Sequence, residues 1–132
     1  MQATTIDEDY GAAALRHLAD ADILAGRKRW VGAGHLIGFA AECAIKYRIE
    51  TLRPKLDAPH GHLPEILDAA RRHLRGRRDT ALHAVLKVSN LMEGWTVSLR
   101  YFHDAAVDQG RYGLWREHAV RVIGAAGLRR SS

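Results

Sequence analysis

Two histidines near the middle of the chain have a spacing that could support metal chemistry. His60 and His62 are separated by one residue, and Asp57 lies shortly before them. Imidazole nitrogens and carboxylate oxygens are common metal ligands, but a zinc site needs three or four ligands at characteristic spacings. No further ligand joins the two histidines at such a spacing. We therefore expect no metal site here, and we expect His62 to cap or pack at the start of a helix.

Glu42 and Lys46 are a second charged pair, and they lie in the most apolar stretch of the sequence, residues 35–53. The glutamate precedes the lysine by four positions, which is the favourable order for an ion pair along a helix. Charged groups that are buried must be paired, so we expect a structural ion pair. Cys43 lies between them and is expected to be a buried free thiol, which suits a reducing compartment.

Arginine supplies most of the positive charge of the chain. The 20 Lys and Arg residues exceed the 15 Asp and Glu residues by five, which gives a net charge of +5. This balance permits attraction to nucleic acid without proving it. Five arginines cluster at the predicted end of the third helix, namely Arg71, Arg72, Arg75, Arg77 and Arg78. Cations at the end of a helix complement its dipole. We favour this structural interpretation of the cluster over a phosphate-binding patch.

The chain length of 132 residues suits one domain with a single core, placed at about residues 7–127. No apolar run reaches the roughly 20 residues that a membrane span requires. The polar and acidic start of the chain differs from a signal peptide. We therefore expect a cytoplasmic protein without a membrane partner.

Apolar residues recur at three- and four-residue steps in five segments, and this pattern predicts an all-α fold. The predicted helices span residues 7–25, 30–53, 64–75, 79–92 and 112–126. Short connections favour a four- to five-helix up-and-down bundle with a long N-terminal helix hairpin. Residues 95–101 alternate apolar and polar side chains and predict an extended or irregular connector, and residues 104–109 predict a helical turn.

The second predicted helix is expected to be the central one, because it is apolar on most of its circumference. Its first turns contain Gly32, Gly34 and Gly38. Each glycine costs about 1 kcal/mol relative to alanine within a helix. Close approach of a neighbouring backbone is the usual compensation, so we expect tight packing along these turns.

Three short motifs follow one another along the chain: GFAAECAIK at residues 38–46, HGHL at 60–63, and W-x4-RY at 95–101. Together they resemble the HEPN domain superfamily, whose members are small all-α bundles with a long opening hairpin. The resemblance covers about residues 10–126. It implies an HEPN-like protein that binds RNA or a nucleotide, forms a homodimer and acts as the toxin-like component of a toxin–antitoxin or defence system. A nucleotidyltransferase-type antitoxin is the implied partner, and no cofactor is implied.

The resemblance also implies a catalytic pair, because many active HEPN proteins are metal-independent ribonucleases with an Arg-x4-6-His signature. In that chemistry an imidazole moves a proton and a guanidinium holds the phosphate. The third motif offers Arg100 and His103 as the catalytic pair. On a helix these two would share a face. The implied RNA- or nucleotide-binding residues are Arg100, Tyr101, Glu42 and Lys46.

The spacing of Arg100 and His103 is shorter than the signature, and this departure leaves two interpretations open. In one, the chain is a metal-independent ribonuclease. In the other, it is a non-catalytic homodimeric helical interaction module in which Arg100 is a buried or half-buried anchor paired with Glu42. The signature spacing also occurs elsewhere, as chance predicts in a chain rich in arginine and histidine: Arg29–His35, Arg53–His60, Arg78–His83 and Arg111–His118.

Overall fold

The computed structural model describes residues 8–52, 61–74 and 80–129, which contain helices and turns but no strand. The predicted all-α class is therefore confirmed. The α-helices are α1 (Tyr10–Gly26), α2 (Trp30–Leu52), α3 (Glu65–Leu74), α4 (Thr80–Leu86) and α5 (Gln109–Ala125). Two short 3-10 helices, Val97–Tyr101 and Asp104–Ala106, lie between α4 and α5. None of the helices in these segments is long and apolar enough to cross a membrane.

The opening hairpin has well-specified helix ends. The Asp9 carboxylate caps α1 by accepting a hydrogen bond from the Ala12 N–H at 2.9 Å. α1 ends at Gly26, and the turn into α2 contains Lys28 with a φ of 60°. So short a turn makes α1 and α2 antiparallel neighbours, as predicted.

α2 is the central helix, because it packs against α1, α3, α5 and both 3-10 helices. Two indole rings lie against the glycines of its first turns. The Trp95 Nε1–H donates to the Gly34 carbonyl at 2.7 Å, and a Cβ at Gly38 would lie 1.8 Å from the Trp95 ring. A Cβ at Gly34 would lie 3.0 Å from the Trp115 ring. Indole side chains, rather than a neighbouring backbone, therefore make the predicted close approach.

α4 is shorter than the helix predicted over residues 79–92, because it ends at Leu86. Turns follow it, in which Met92 has a φ of 54° and Gly94 a φ of 84°. Positive φ values are incompatible with a continuing right-handed helix. The Met92 N–H donates to Nδ1 of His118 on α5 at 3.0 Å, and this hydrogen bond holds the turns against the bundle.

Residues 95–101 are not the predicted extended or irregular connector, because most of them form the first 3-10 helix. The Thr96 hydroxyl caps this helix by accepting a backbone N–H at 3.3 Å. A lone extended segment would leave its backbone groups without partners, whereas a 3-10 helix bonds them locally. Trp95 and Leu99 are both buried. The alternation in the sequence therefore marks the buried positions correctly, although the backbone is helical.

α5 begins before the predicted start at residue 112, because the Asp108 carboxylate caps it by accepting a backbone N–H at 2.8 Å. The second 3-10 helix lies within the helical turn predicted over residues 104–109. Arg116 joins α5 to α1 by donating two hydrogen bonds to the Asp22 carboxylate, at 2.7 and 2.8 Å. The Tyr112 hydroxyl donates to the same carboxylate at 3.0 Å, so one aspartate ties the hairpin to α5.

Acid is expected to destabilise this fold, because three histidines have lowered pKa values. Burial is the main cause of the lowered pKa of His17, His35 and His118. Such a histidine binds a proton less readily in the folded protein than in the unfolded chain, where its pKa is about 6.5. The contribution of the three neutral histidines to stability is therefore complete above about pH 6.5 and is lost as the pH falls below this value. Urea unfolding midpoints measured from about pH 7.5 down to about pH 5 test this expectation.

His118 supplies a matched control for the acid effect, because its Nδ1 accepts the Met92 N–H and is therefore unprotonated. His118→Asn offers an amide oxygen as an acceptor but does not titrate. The midpoint of this variant is expected to fall less on acidification than that of the parent protein. Equal falls would show that His118 does not contribute to the acid sensitivity.

Candidate functional site: the Phe39 cluster and Glu42

One half-buried phenylalanine on α2 brings together rings from separate parts of the chain. These rings come from α1, from α2, from the turn before α3 and from the residues before the first 3-10 helix. The Phe39 ring centre lies 4.8 Å from that of His35, 5.5 Å from Trp95, 5.8 Å from His62 and 5.9 Å from His17. We call Phe39 and these four side chains the Phe39 cluster.

Glu42 lies about one turn further along α2, and its carboxylate accepts from several groups while being only 3% exposed. Nδ1 of His62 lies 3.1 and 3.2 Å from its two oxygens, and the Leu63 N–H donates to it at 3.2 Å. The Lys46 ammonium lies 3.5 Å away. The predicted Glu42–Lys46 ion pair is confirmed. The expectation that His62 packs at the start of a helix is also confirmed, because its ring lies against Phe39.

The Glu42 carboxylate determines which nitrogen of His62 carries the proton. A carboxylate only accepts hydrogen bonds, so Nδ1 must be the protonated nitrogen that faces it. In the neutral ring Nε2 then keeps its lone pair. The His62 side chain is 47% exposed. The site therefore contains an imidazole whose unprotonated nitrogen is Nε2.

His35 contributes a second unusual nitrogen to the cluster. Within the described segments its Nε2 is a buried side-chain atom without a hydrogen-bond partner. Burial lowers the pKa of His35, and the positive charge of Arg100 lowers it further. His35 is therefore neutral at pH 7. Unpaired buried polar atoms are uncommon, and ligand-binding sites are one place where they occur.

Arg100 is exposed, and its guanidinium lies over the Tyr101 ring at 5.0 Å from the ring centre. The interpretation of Arg100 as a buried or half-buried anchor paired with Glu42 is therefore wrong. The Glu42 oxygens are instead occupied by donors from Lys46, His62 and the Leu63 backbone. Arg100 thus remains available to an external anion.

Arg100 and His103 do not share a helix face, because the 3-10 helix ends at Tyr101 and the backbone then becomes extended. His103 caps the second 3-10 helix, and its Nδ1 accepts a hydrogen bond from the Ala105 N–H at 3.0 Å. Both side chains are exposed. The catalytic assignment of this pair remains a prediction, but a common helix cannot position it.

The predicted absence of a metal site concerns residues that are only partly described. Asp57 and His60 lie outside the described residues. Within residues 8–52, 61–74 and 80–129, no group of three or more His, Cys, Asp or Glu side chains is placed to hold a metal ion.

Two further sequence predictions concern single side chains. Arg75, Arg77 and Arg78 of the predicted basic cluster lie outside the described residues, whereas Arg71 donates to the Leu86 carbonyl at 2.7 Å. Arg71 is therefore a structural link from α3 to the end of α4. Cys43 is buried, and burial raises its pKa to about 11. It is therefore an unreactive core thiol at neutral pH.

Part of this site could be predicted from the sequence. His35, Phe39 and Glu42 lie four and three positions apart, which puts them on one face of a helix. His62 was visible as part of the second motif, but its contact joins residues 20 positions apart and has no local signature. His17 carried no signal at all.

Comparisons of the chain with models of known protein families, with curated proteins and with solved structures found no match. The resemblance to the HEPN superfamily therefore rests on the three sequence motifs. In the structure these motifs lie side by side: Glu42 of the first contacts His62 and Leu63 of the second, and Trp95 of the third packs on Phe39.

Proposed function

We propose that this chain is an HEPN-like RNA- or nucleotide-binding protein, and that the ligand lies along the Phe39 cluster and the Arg100–Tyr101 segment. The observation that carries the proposal is the exposed pair of Arg100 and Tyr101, in which the guanidinium lies over the ring at 5.0 Å from its centre. The Tyr101 side chain is 77% exposed and the neighbouring Phe102 is 45% exposed.

This arrangement matches the two requirements of single-stranded nucleic acid. Bases stack on exposed aromatic rings without strict sequence preference, and each such contact is worth about 1–3 kcal/mol. Phosphates are bound by guanidinium groups, which donate two hydrogen bonds in a fixed geometry. Tyr101 supplies a ring and Arg100 supplies a guanidinium within one short segment. The net charge of +5 favours the approach of a polyanion.

The wider biological role follows from the HEPN resemblance and is part of the same proposal. It comprises a cytoplasmic homodimer, a role as the toxin-like component of a toxin–antitoxin or defence system, and a nucleotidyltransferase-type antitoxin as partner. Lys46 is the predicted binding residue that the geometry supports least, because it is buried against Glu42. Glu42 supports the site through His62 rather than by direct contact.

Binding of a fluorescently labelled single-stranded RNA, followed by anisotropy in EDTA, tests the proposal. Arg100→Ala and Tyr101→Ala are each expected to weaken binding about 10-fold, in line with the loss of one phosphate contact or one stacked base. Arg121→Ala is the matched control, because Arg121 is an exposed arginine on α5. If all three substitutions weakened binding equally, the interaction would be non-specific charge attraction, and this result would contradict the proposal.

The alternative function is a non-catalytic homodimeric helical interaction module. Large exposed apolar side chains favour it, because such residues often mark protein contacts: Ile23, Tyr101, Phe102 and Leu114. Sedimentation without RNA separates the two functions. The module requires a dimer that Phe102→Ser dissociates, together with no RNA binding by the parent protein.

A further inference from the structure

We propose that His35 is a pH-sensitive switch, in which a proton on the imidazole ring favours release of residues 95–101 from α2. The closed arrangement is the one described above, and the open arrangement holds one more proton. This inference goes beyond the proposed function and does not rest on it, because it concerns the chain without any ligand.

The first argument is the buried, unpaired nitrogen of His35. Nε2 has no hydrogen-bond partner among the residues that the structure describes. In a protonated ring both nitrogens carry a hydrogen and can only donate. Nε2 would then be a charged donor without an acceptor, which costs more than a neutral unpaired atom. The closed arrangement therefore disfavours the proton.

The second argument is the sign of the charges that act on His35. Burial lowers the pKa of His35 most, and the positive charges of Arg100 and His17 lower it further. Among the described residues, no carboxylate opposes this shift of the pKa. Arg100 belongs to residues 95–101, so release of this segment also relieves the repulsion between its guanidinium and a protonated His35.

The third argument distinguishes His35 from the other two histidines of the Phe39 cluster. Burial lowers the pKa of His17, but the carboxylates of Asp20 and Glu42 act in the opposite direction. His62 lies 3.1 Å from a Glu42 oxygen, which can accept from a protonated ring as well as from a neutral one. A proton on either of these rings meets a carboxylate, whereas a proton on His35 does not.

The packing around His35 indicates which neighbour gives way. The His35 ring is stacked on Trp95, with 9° between the planes and 6.5 Å between the ring centres. It also contacts Phe39 at 4.8 Å, but Phe39 lies on the same helix and cannot move away from it. The Trp95 indole is joined to α2 by a hydrogen bond to the Gly34 carbonyl. Water can therefore reach the His35 ring if Trp95 withdraws.

Residues 95–101 are also weakly held compared with the long helices. Trp95 and Leu99 are the buried side chains of this segment, and its backbone hydrogen bonds belong to one short 3-10 helix. Gly94 precedes it with a φ of 84°, and the backbone is extended at Phe102. Segments with few buried contacts open at a lower free energy than core helices. Release of this segment, with Gly94 as a hinge, therefore precedes the separation of α1 or α5.

The size of the effect follows from the titration of an ordinary histidine. Release exposes the His35 ring to water, where its pKa is about 6.5. At pH 5.5 such a ring is about 90% protonated, so acidification from pH 7.5 raises the ratio of open to closed molecules by up to about 10-fold. The closed arrangement has its full advantage above about pH 6.5 and loses it as the pH falls.

Hydrogen exchange of two indole N–H groups, followed by NMR, tests the inference in the full chain. The Trp95 N–H bonds to Gly34 and is exposed when the segment leaves α2. The Trp115 N–H donates to the Glu93 carbonyl at 2.8 Å, outside the segment, and is the internal reference. Because the exchange chemistry of both groups depends on pH in the same way, their ratio reports the structural change. This ratio of Trp95 to Trp115 exchange rates is expected to rise by up to about 10-fold from pH 7.5 to pH 5.5.

Three variants identify the proton that drives the change. His35→Gln does not titrate, so its exchange ratio is expected to stay the same at both pH values. Arg100→Gln removes one repelling charge and is expected to show a smaller rise than the parent protein. His83→Gln, on α4, is the matched control and is expected to keep the full rise.

NMR titration of the His35 ring in the parent protein gives a second readout that needs no variant. The ring is expected to take up its proton over the same pH range in which the exchange ratio rises. The inference is overturned if the ratio does not change, if the rise persists in His35→Gln, or if the ring stays neutral while the ratio rises. Equal acceleration of both indoles would mean general unfolding rather than release of one segment, and would overturn it too.

Discussion

Replacement of Gly38 by alanine is expected to destabilise the protein by about 3 kcal/mol or more. The added Cβ would lie 1.8 Å from Cε2 and 2.0 Å from Nε1 of Trp95, far inside van der Waals contact. The indole cannot move freely, because Trp95 is buried and its Nε1–H donates to the Gly34 carbonyl. Forcing atoms into a packed core costs about 1–3 kcal/mol, and loss of the hydrogen bond adds about 1 kcal/mol.

Urea unfolding of Gly38→Ala measures this cost, and Gly113→Ala is its matched control. Both glycines lie within α-helices, but nothing lies within 4 Å of a Cβ built on Gly113. Gly113→Ala is therefore expected to stabilise the protein by about 0.5–1 kcal/mol through helix propensity. A loss of less than about 1 kcal/mol for Gly38→Ala would mean that Trp95 repacks easily, against the expectation.

Replacement of Glu42 by leucine is expected to cost about 3–5 kcal/mol, because it breaks a buried ion pair from one side. Lys46 would keep its buried charge but lose the carboxylate 3.5 Å away. The buried Leu63 N–H would lose its acceptor as well. Lys46→Leu should cost less, about 1–2 kcal/mol, since the Glu42 carboxylate keeps its contacts with Leu63 and His62.

The double variant Glu42→Leu with Lys46→Leu completes a thermodynamic cycle. It is expected to be more stable than Glu42→Leu alone, because no unpaired lysine remains and the leucines add to the apolar surface of α2. The free energies of unfolding in urea of the parent protein, the two single variants and the double variant give the coupling free energy between Glu42 and Lys46. Strict additivity of the two single effects would show that the pair does not interact, in conflict with the geometry.

The helices with regular periodicity could be predicted from sequence because their local preferences and their burial agree. α2 is the clearest example: its apolar circumference predicted the central position, and Gly34 and Gly38 predicted close packing. The side chain that packs against these glycines could not be identified from sequence, because Trp95 lies 61 positions from Gly34 along the chain. Sequence spacing carries no information about such a contact.

The segment between α4 and α5 escaped prediction for a similar reason. The positive φ of Met92 is held by a hydrogen bond to His118, a residue 26 positions away. In the candidate site, too, contacts within one helix could be predicted and contacts between distant residues could not. Glu42 and Lys46 are neighbours on one helix and were predicted as a pair, whereas the contact between Glu42 and His62 depends on how the chain returns to α2.

The first 3-10 helix has a thermodynamic consequence for any ligand that binds to it. Its backbone is fixed at one end by buried Trp95 and in the middle by buried Leu99, while Arg100 and Tyr101 remain exposed. A ligand that stacks on Tyr101 therefore restricts side-chain torsions but does not have to order the backbone. Ordering costs of about 0.5–1.5 kcal/mol per side chain apply, without the larger penalty of coupled folding. This surface is preorganised, and its heat capacity change on binding should be small.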